Sequence, residues 1–308
     1  PPPPPPPPPF FPPPAAFRDW SVTGVQTCAL PISRVSTCSS WGAGLIHGIN
    51  PAPKLEHVET RAARTYLGVH KFGPKAAILG DIGWCHGSIR RKVSVLRYWN
   101  RLVKMDHSRL TKAVFENEHS KCKLGSWCYK VRNILTSIDQ ADVFNQKLEC
   151  NLALCKERLI NEYTKQWERE IKRKSKLRLY YKLKESLETE LYVKLNMSAK
   201  QRSLLAQLRI GILPLRLETG RYTNMKIEDR VCELCKSGCV EDEMHFLFSC
   251  EIYTDERRSF LQEMAARCND TVNMTKEELL KHCCENEPRL LAKYVCKIFD
   301  KRKEQQYA

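Results

Sequence analysis

Cys232, Cys235, His245 and Cys250 constrain this chain more than any other feature. They follow one another as C-x-x-C, nine residues, His, four residues, Cys. Three thiolates and one imidazole fill the four-coordinate tetrahedral shell that zinc prefers. Two residues between the first pair let both sulfurs reach one ion from a tight turn. Four residues between His245 and Cys250 suit two ligands that bracket a short helix or a strand end. All four positions are then protein ligands and none is left for water, which predicts one structural zinc rather than a catalytic one. Cysteine is abundant, 15 of 308 residues, so the competing reading is four unrelated residues: free thiols in a helical core and a solvated histidine. Cys239 lies inside the same loop and could replace His245 to give a four-cysteine site.

The first fifty residues have a different character. Pro1 to Pro9 is a homopolymer followed by Phe10, Phe11 and more prolines. A run without amide donors or apolar periodicity forms polyproline II or stays disordered. Val22-Thr-Gly-Val-Gln-Thr-Cys-Ala-Leu-Pro-Ile32 resembles the in-frame translation of a common sequencing-library adapter. Residues 18–33 therefore read as translated adapter, and 1–50 as an artefactual, disordered leader to be kept out of fold reasoning. The alternative is a proline-rich ligand for SH3-type domains. The first methionine is Met105, so the chain reads as the C-terminal piece of something longer.

About 258 residues remain after the leader, enough for a sizeable core or two small domains. The formal charge of +16 favours polyanionic partners such as RNA or DNA. The cysteines are odd in number and scattered, and they include the vicinal pair Cys283 and Cys284. That is not the even framework of a secreted scaffold, and a reducing nucleus or cytoplasm is expected. No apolar stretch is long enough to span a bilayer, so no membrane partner is expected.

From Pro51 onward the apolar spacing is helical. Leu55, Val58, Ala62, Ala63, Tyr66 and Leu67 predict one helix ended by Gly68. Ile89, Val93, Leu96, Trp99, Leu102 and Val103 line a second, with Arg90, Arg91, Arg97, Arg101 and Lys104 mostly off that face. Ser120 to Ser126 reads as a linker, and periodicity resumes at Trp127. Leu204, Leu205, Leu208 and Ile210 form a further amphipathic segment closed by Gly211 and Pro214, and a last helix is predicted from Pro288 to Lys303. The fold class is mainly α, with a small Cys/Cys/His/Cys zinc-binding module. The divisions are 51–120, 121–203 (a basic helical segment), 204–268 (the zinc module) and 269–308 (a C-terminal helical segment).

Within 165–184 nine residues are Lys or Arg, against Glu168 and Glu170 alone. The zinc loop itself is acidic, with Glu233, Glu241, Asp242 and Glu243, and a three-thiolate zinc adds further negative charge. Phosphates are therefore expected to bind elsewhere: at Lys172, Arg173, Lys174, Lys176 and Arg178, and at Arg209, Arg216, Arg221 and Arg230. Trp167 and the tyrosines of this stretch read as core more readily than as stacking platforms. Phe246, Leu247 and Phe248 are expected to pack the loop onto a neighbouring helix. The sequence carries no Gly-rich phosphate loop, no G-x-S-x-G, no H-E-x-x-H and no Tyr/Phe-x-Asp-Asp. Two-metal nucleotidyl transfer needs such carboxylates, so the chain is not expected to polymerise DNA by itself.

The run from Leu204 to Arg258 resembles the C-terminal zinc-binding region of non-LTR retrotransposon reverse transcriptases. The matching elements are Leu208-Arg-Ile-Gly211, Leu217-Glu-Thr-Gly-Arg-Tyr222, Arg230-Val-Cys-Glu-Leu-Cys235 and Glu241-Asp-Glu-Met-His-Phe-Leu-Phe-Ser-Cys250, then Tyr253 and Arg257. Upstream, Tyr66-Leu-Gly-Val69, Leu79-Gly-Asp-Ile-Gly83 and Tyr98-Trp-Asn-Arg-Leu102 resemble the segment after the polymerase palm. The resemblance implies an RNA-directed DNA polymerase acting by target-primed reverse transcription, often with an N-terminal endonuclease. It carries the zinc set over to Cys232, Cys235, His245 and Cys250. It gives 51–120 a thumb-like role beside a template–primer of RNA or DNA, with the upstream reverse transcriptase and endonuclease domains as partners. The palm and endonuclease motifs are missing here, which implies a non-enzymatic fragment. The alternatives are a helical zinc module acting as a protein–protein adaptor and a non-functional transposon remnant.

Overall fold

A computed structural model describes residues 53–268 and 274–307. The proline run and the adapter-like string lie outside the described residues. The described chain is mainly helical, as the apolar spacing predicts. It has no β-strand, only an isolated antiparallel bridge between Val231 and Val240.

The helices run in the order α1 (Pro53–Leu67), α2 (Lys75–Ile82), α3 (Gly87–Lys104), α4 (Leu110–Lys121), α5 (Trp127–Thr136), α6 (Ala141–Asn145) and α7 (Leu152–Arg173). After a 3-10 turn at Ser175–Leu177 come α8 (Tyr180–Leu183), α9 (Leu191–Lys194), α10 (Ala199–Arg209) and α11 (Arg216–Thr219). The chain ends with α12 (Thr254–Arg267), α13 (Lys276–Asn286) and α14 (Pro288–Tyr307).

Local chemistry sets many of the boundaries. Gly68 ends α1 at φ +65°, a conformation that L side chains avoid, and a Cβ there would lie 2.7 Å from the Ser203 Cβ. Reciprocal capping boxes open α10 (Ser198 with Gln201) and α13 (Thr275 with Glu278). The Asn151 side chain accepts from Ala153 and Leu154 N–H at the start of α7.

Two apolar cores result. The smaller one gathers α3 to α6 and the first half of α7 around Trp99. Its indole stacks on Phe144 at 5.3 Å, meets Phe115 edge-on at 5.3 Å and donates to Leu148 O at 2.9 Å. The larger core takes α1, α2, the second half of α7 and the chain from Leu177 to Phe299, with α10 laid along α14. Helix α7 joins them: Cys155 and Leu159 enter the first, Trp167 and Ile171 the second, and Tyr163 touches both. Both cores draw residues from either side of 120/121, and the larger also crosses 203/204 and 268/269. The divisions drawn along the sequence therefore do not mark separate cores. Among the described residues no helix is long and apolar enough to cross a membrane.

Candidate metal centre and basic surface

The loop after α11 is shaped by backbone pairing across the Val231–Val240 bridge. Cys232 N donates to Cys239 O at 2.8 Å, and Glu241 N donates to Arg230 O at 2.9 Å. Between them Lys236 (φ +53°) and Gly238 (φ +73°) turn the chain back. This narrow hairpin presents Cys232 and Cys235 together. His245–Ser249 then forms a single π turn, closed by Cys250 N donating to His245 O at 2.8 Å. The wide turn leaves its first and sixth residues on one side, which brings His245 and Cys250 to the same point. Asp242 fixes its entry by accepting from His245 N at 2.7 Å.

The ligand atoms of Cys232, Cys235, His245 and Cys250 all lie within 4.8 Å of one another. Cys235 Sγ and His245 Nε2 are 3.4 Å apart. A tetrahedral ion with bonds of about 2.0–2.3 Å needs donors roughly 3.5–3.8 Å apart, so the quartet fits a metal ion. Cys232, His245 and Cys250 are buried, and Cys235 is half-buried. Cys239 is exposed and stands outside the quartet. Its carbonyl holds the hairpin, and His245 keeps the fourth position.

Burial pushes the Cys250 thiol up to about 12 and also raises Cys232. At Cys235 burial is outweighed by hydrogen bonds from Ser237 and the neighbouring thiols, and the value falls. A cation at the centre would remove the thiol protons outright. Burial lowers His245, which keeps its imidazole neutral and its lone pair available.

Phe246 of the π turn is fully buried, edge-on to Tyr253 at 5.4 Å and to Phe299 of α14 at 6.5 Å. Tyr294 donates to Leu247 O. The expected packing of this triplet onto a neighbouring helix is thereby met, and the helix is α14.

No protein family, curated protein or solved structure matches the chain. Its own geometry therefore carries the functional argument.

Three of the four acidic residues of the loop are held by arginines. Glu241 is held by Arg302, Glu243 by Arg178, and Glu233 by Arg216 at 2.9 Å. This alters the phosphate-binding set drawn from the sequence. Arg209 is only 1 % exposed, clamped by Asp81 at 3.2 Å and Glu190 at 2.9 Å. Arg230 is buried too, donating to Leu217 O at 2.8 Å and to Met225 O. Neither can present a guanidinium to a phosphate. Lys174 pairs with Glu170, while Lys176 and Arg221 share Glu218. Only Lys172 and Arg173 of that set, at the end of α7, are exposed without a carboxylate partner among the described residues. On α3 the outcome is similar. Arg90 and Arg91 are taken by Glu59 and Glu56 and Lys104 by Glu149, whereas Arg97 and Arg101 stay exposed.

Trp167 is core, as expected, with its indole N–H on Ala76 O at 2.9 Å, and Tyr180 donates to Ala77 O at 3.1 Å. Sequence reasoning passed over Phe72 and Tyr222 as surface features. Both rings are 67 % exposed. Phe72 follows Gly68 in a short loop, and turn composition was the available signal.

Proposed function

We propose that this chain is the C-terminal, non-catalytic part of a non-LTR retrotransposon reverse transcriptase, folded around one structural zinc and contacting RNA or DNA. The closed quartet of Cys232, Cys235, His245 and Cys250 carries this reading. Three sulfurs and one imidazole suit zinc better than the oxygen-seeking cations, and four protein ligands leave no open position for a substrate. Bound there, zinc would supply a cross-link and no reaction chemistry. The chain's own residues do the rest. The hairpin and the π turn aim the donors, and α14 buries Phe246 beneath them. The phosphate contacts belong to the unpaired cations Lys172 and Arg173, with Arg97 and Arg101 as further candidates.

The test is metal content and thermal stability of the whole chain, before and after a chelator, followed by titration with labelled duplex. One zinc per chain, cooperative loss of structure on its removal and salt-dependent duplex binding support the reading. An apo chain of unchanged stability refutes the zinc, and absence of duplex binding at low salt refutes the nucleic-acid role. The exposed Leu110, Val114 and Leu124 on the smaller core favour a second reading, a protein-docking adaptor. A zinc-loaded chain that ignores nucleic acid would support it.

A further inference from the structure

Phe72 and Tyr222 come from distant parts of the sequence, and a run of contacts ties both of their loops to one ion-pair knot. The Phe72 loop is rigidly held. Phe72 N donates to His70 Nδ1 at 3.1 Å, the His70 ring lies edge-on to Phe72 at 5.9 Å, and Arg64 donates to Gly73 O at 3.3 Å. The loop rests on the turn after α10: a Cβ on Gly73 would lie 3.5 Å from Ile212 Cδ1. The adjoining Gly211 is pressed against Lys176, since a Cβ there would fall 2.3 Å from the Lys176 carbonyl oxygen. Lys176 pairs with Glu218, Arg221 reaches the same carboxylate at 3.2 Å, and burial, and next Glu218, raise the pKa of the neighbouring Tyr222. His70 senses the knot too: burial, and then Lys176, hold it below its ordinary value.

Three large aromatic residues are exposed among the described residues, Phe72 and Tyr222 for the most part and Tyr181 to a lesser degree. Two of them thus belong to loops tied to the same ion-pair knot. Around them stand Arg64, Lys71, Lys176 and Arg221, with Glu218 as the carboxylate of the knot; Lys71 Nζ sits 5.0 Å from the Phe72 centroid. An aliphatic protein partner would call for the reverse, apolar bulk with little charge. The exposed leucines that offer such bulk, Leu110 and Leu124, flank the smaller core instead. Exposed rings among excess cations suit unpaired nucleotides, whose bases stack while their phosphates are neutralised.

We infer that Phe72 and Tyr222 form a stacking platform for single-stranded nucleic acid, with Arg64 and Lys71 taking the phosphates. This rests on the nucleic-acid reading above and adds to it a distinct ligand, an unpaired strand, read by side chains other than Lys172 and Arg173.

The experiment is fluorescence anisotropy of the whole zinc-loaded chain with a labelled oligothymidylate and, separately, a duplex of equal length. Phe72→Ala and Tyr222→Ala should each weaken single-strand binding by about five- to 150-fold, the range given by about 1–3 kcal/mol per stacked base. Duplex affinity should stay unchanged. Phe72→Trp should restore binding and show indole quenching on addition of the strand. Tyr222→Phe keeps the ring and should bind the strand, which separates stacking from loss of the hydroxyl. Unchanged single-strand affinity in both alanine variants, with duplex binding intact, overturns the platform and leaves the broader reading standing. A parent chain that binds neither probe overturns both. Self-association that disappears in the alanine variants, without single-strand affinity, assigns the face to a protein partner and overturns the platform.

Discussion

Arg302 grips Glu241 through two parallel hydrogen bonds, Nε to Oε1 at 2.8 Å and Nη2 to Oε2 at 2.9 Å. Both side chains are buried, and Glu241 also accepts from Arg216 N at 2.7 Å. The last helix is therefore clamped to the segment between the first and second pairs of metal ligands. Arg302→Met should destabilise the chain by about 3–5 kcal/mol, because it leaves a buried carboxylate without its partner. Pairing it with Glu241→Gln should recover much of that loss. Urea denaturation of the two singles and the double gives the coupling energy, and simple additivity would show that the pair does not act as a clamp.

Metal binding should distinguish the cysteines of the loop. Cys250→Ser and His245→Ala each remove a donor from a closed set and should lower metal affinity and thermal stability together. Cys239→Ser should change neither, since that thiol is exposed and outside the quartet. Competition with a colorimetric chelator measures the affinities. A large loss in Cys239→Ser would mean that it, rather than His245, completes the site.

Local signals were legible in the sequence and long-range pairings were not. The spacing of Ile89, Leu96, Trp99 and Leu102 marked the buried face of α3, and Gly68 marked a true left-handed helix end. The C-x-x-C and the His–Cys gap announced donors that do converge. Arg209 misled because its partner Asp81 lies 128 residues away. Composition shows a cation, and only the fold shows whether a carboxylate has already claimed it. Lys176 with Glu218 and Arg178 with Glu243 repeat the lesson, 42 and 65 residues apart.

Trp99 organises the smaller core. Trp99→Ala should destabilise by about 3–5 kcal/mol because the cavity it leaves strips packing from its neighbours. Trp99→Phe should lose less, chiefly the bond to the Leu148 carbonyl. Because α7 threads both cores, thermal melting of either variant should remain one transition at lower temperature. Two separated transitions would show that the cores fold independently.

His86 should contribute a pH dependence. Its ring caps α3, Nδ1 accepting from Ser88 N at 3.4 Å, while Nε2 faces Glu56 at 3.1 Å. Burial, and next Lys75, hold its pKa below the ordinary value, with Glu56 opposing. The native state then binds fewer protons than the unfolded chain below about pH 6.5. This contribution is complete above that value and declines as pH falls toward the depressed pKa. Protonation would also put a positive charge at the helix N-terminus and occupy the capping lone pair. His70 and His245 are depressed as well, so the informative quantity is the difference between parent and His86→Gln. Urea midpoints at about pH 5 and about pH 7.5 should differ less in the variant. Equal differences would remove His86 from the acid response.

Lys172 and Arg173 should separate from Arg209 in nucleic-acid binding. The first two end α7 in solvent and hold no carboxylate among the described residues. Replacing both with alanine should leave thermal stability within about 0.5 kcal/mol, as for other surface changes. Duplex affinity should fall, and its logarithmic salt slope should shrink by about 0.9 for each phosphate that is no longer neutralised. Arg209→Ala should do the opposite: it strands Asp81 in the larger core and should destabilise by about 3–5 kcal/mol. Any weakening of binding it shows should track the unfolded fraction, with the salt slope of the folded protein unaltered. Anisotropy titrations at several salt concentrations, run beside thermal melts, read both quantities. A reduced slope in a well-folded Arg209→Ala chain would return that residue to the phosphate-binding set.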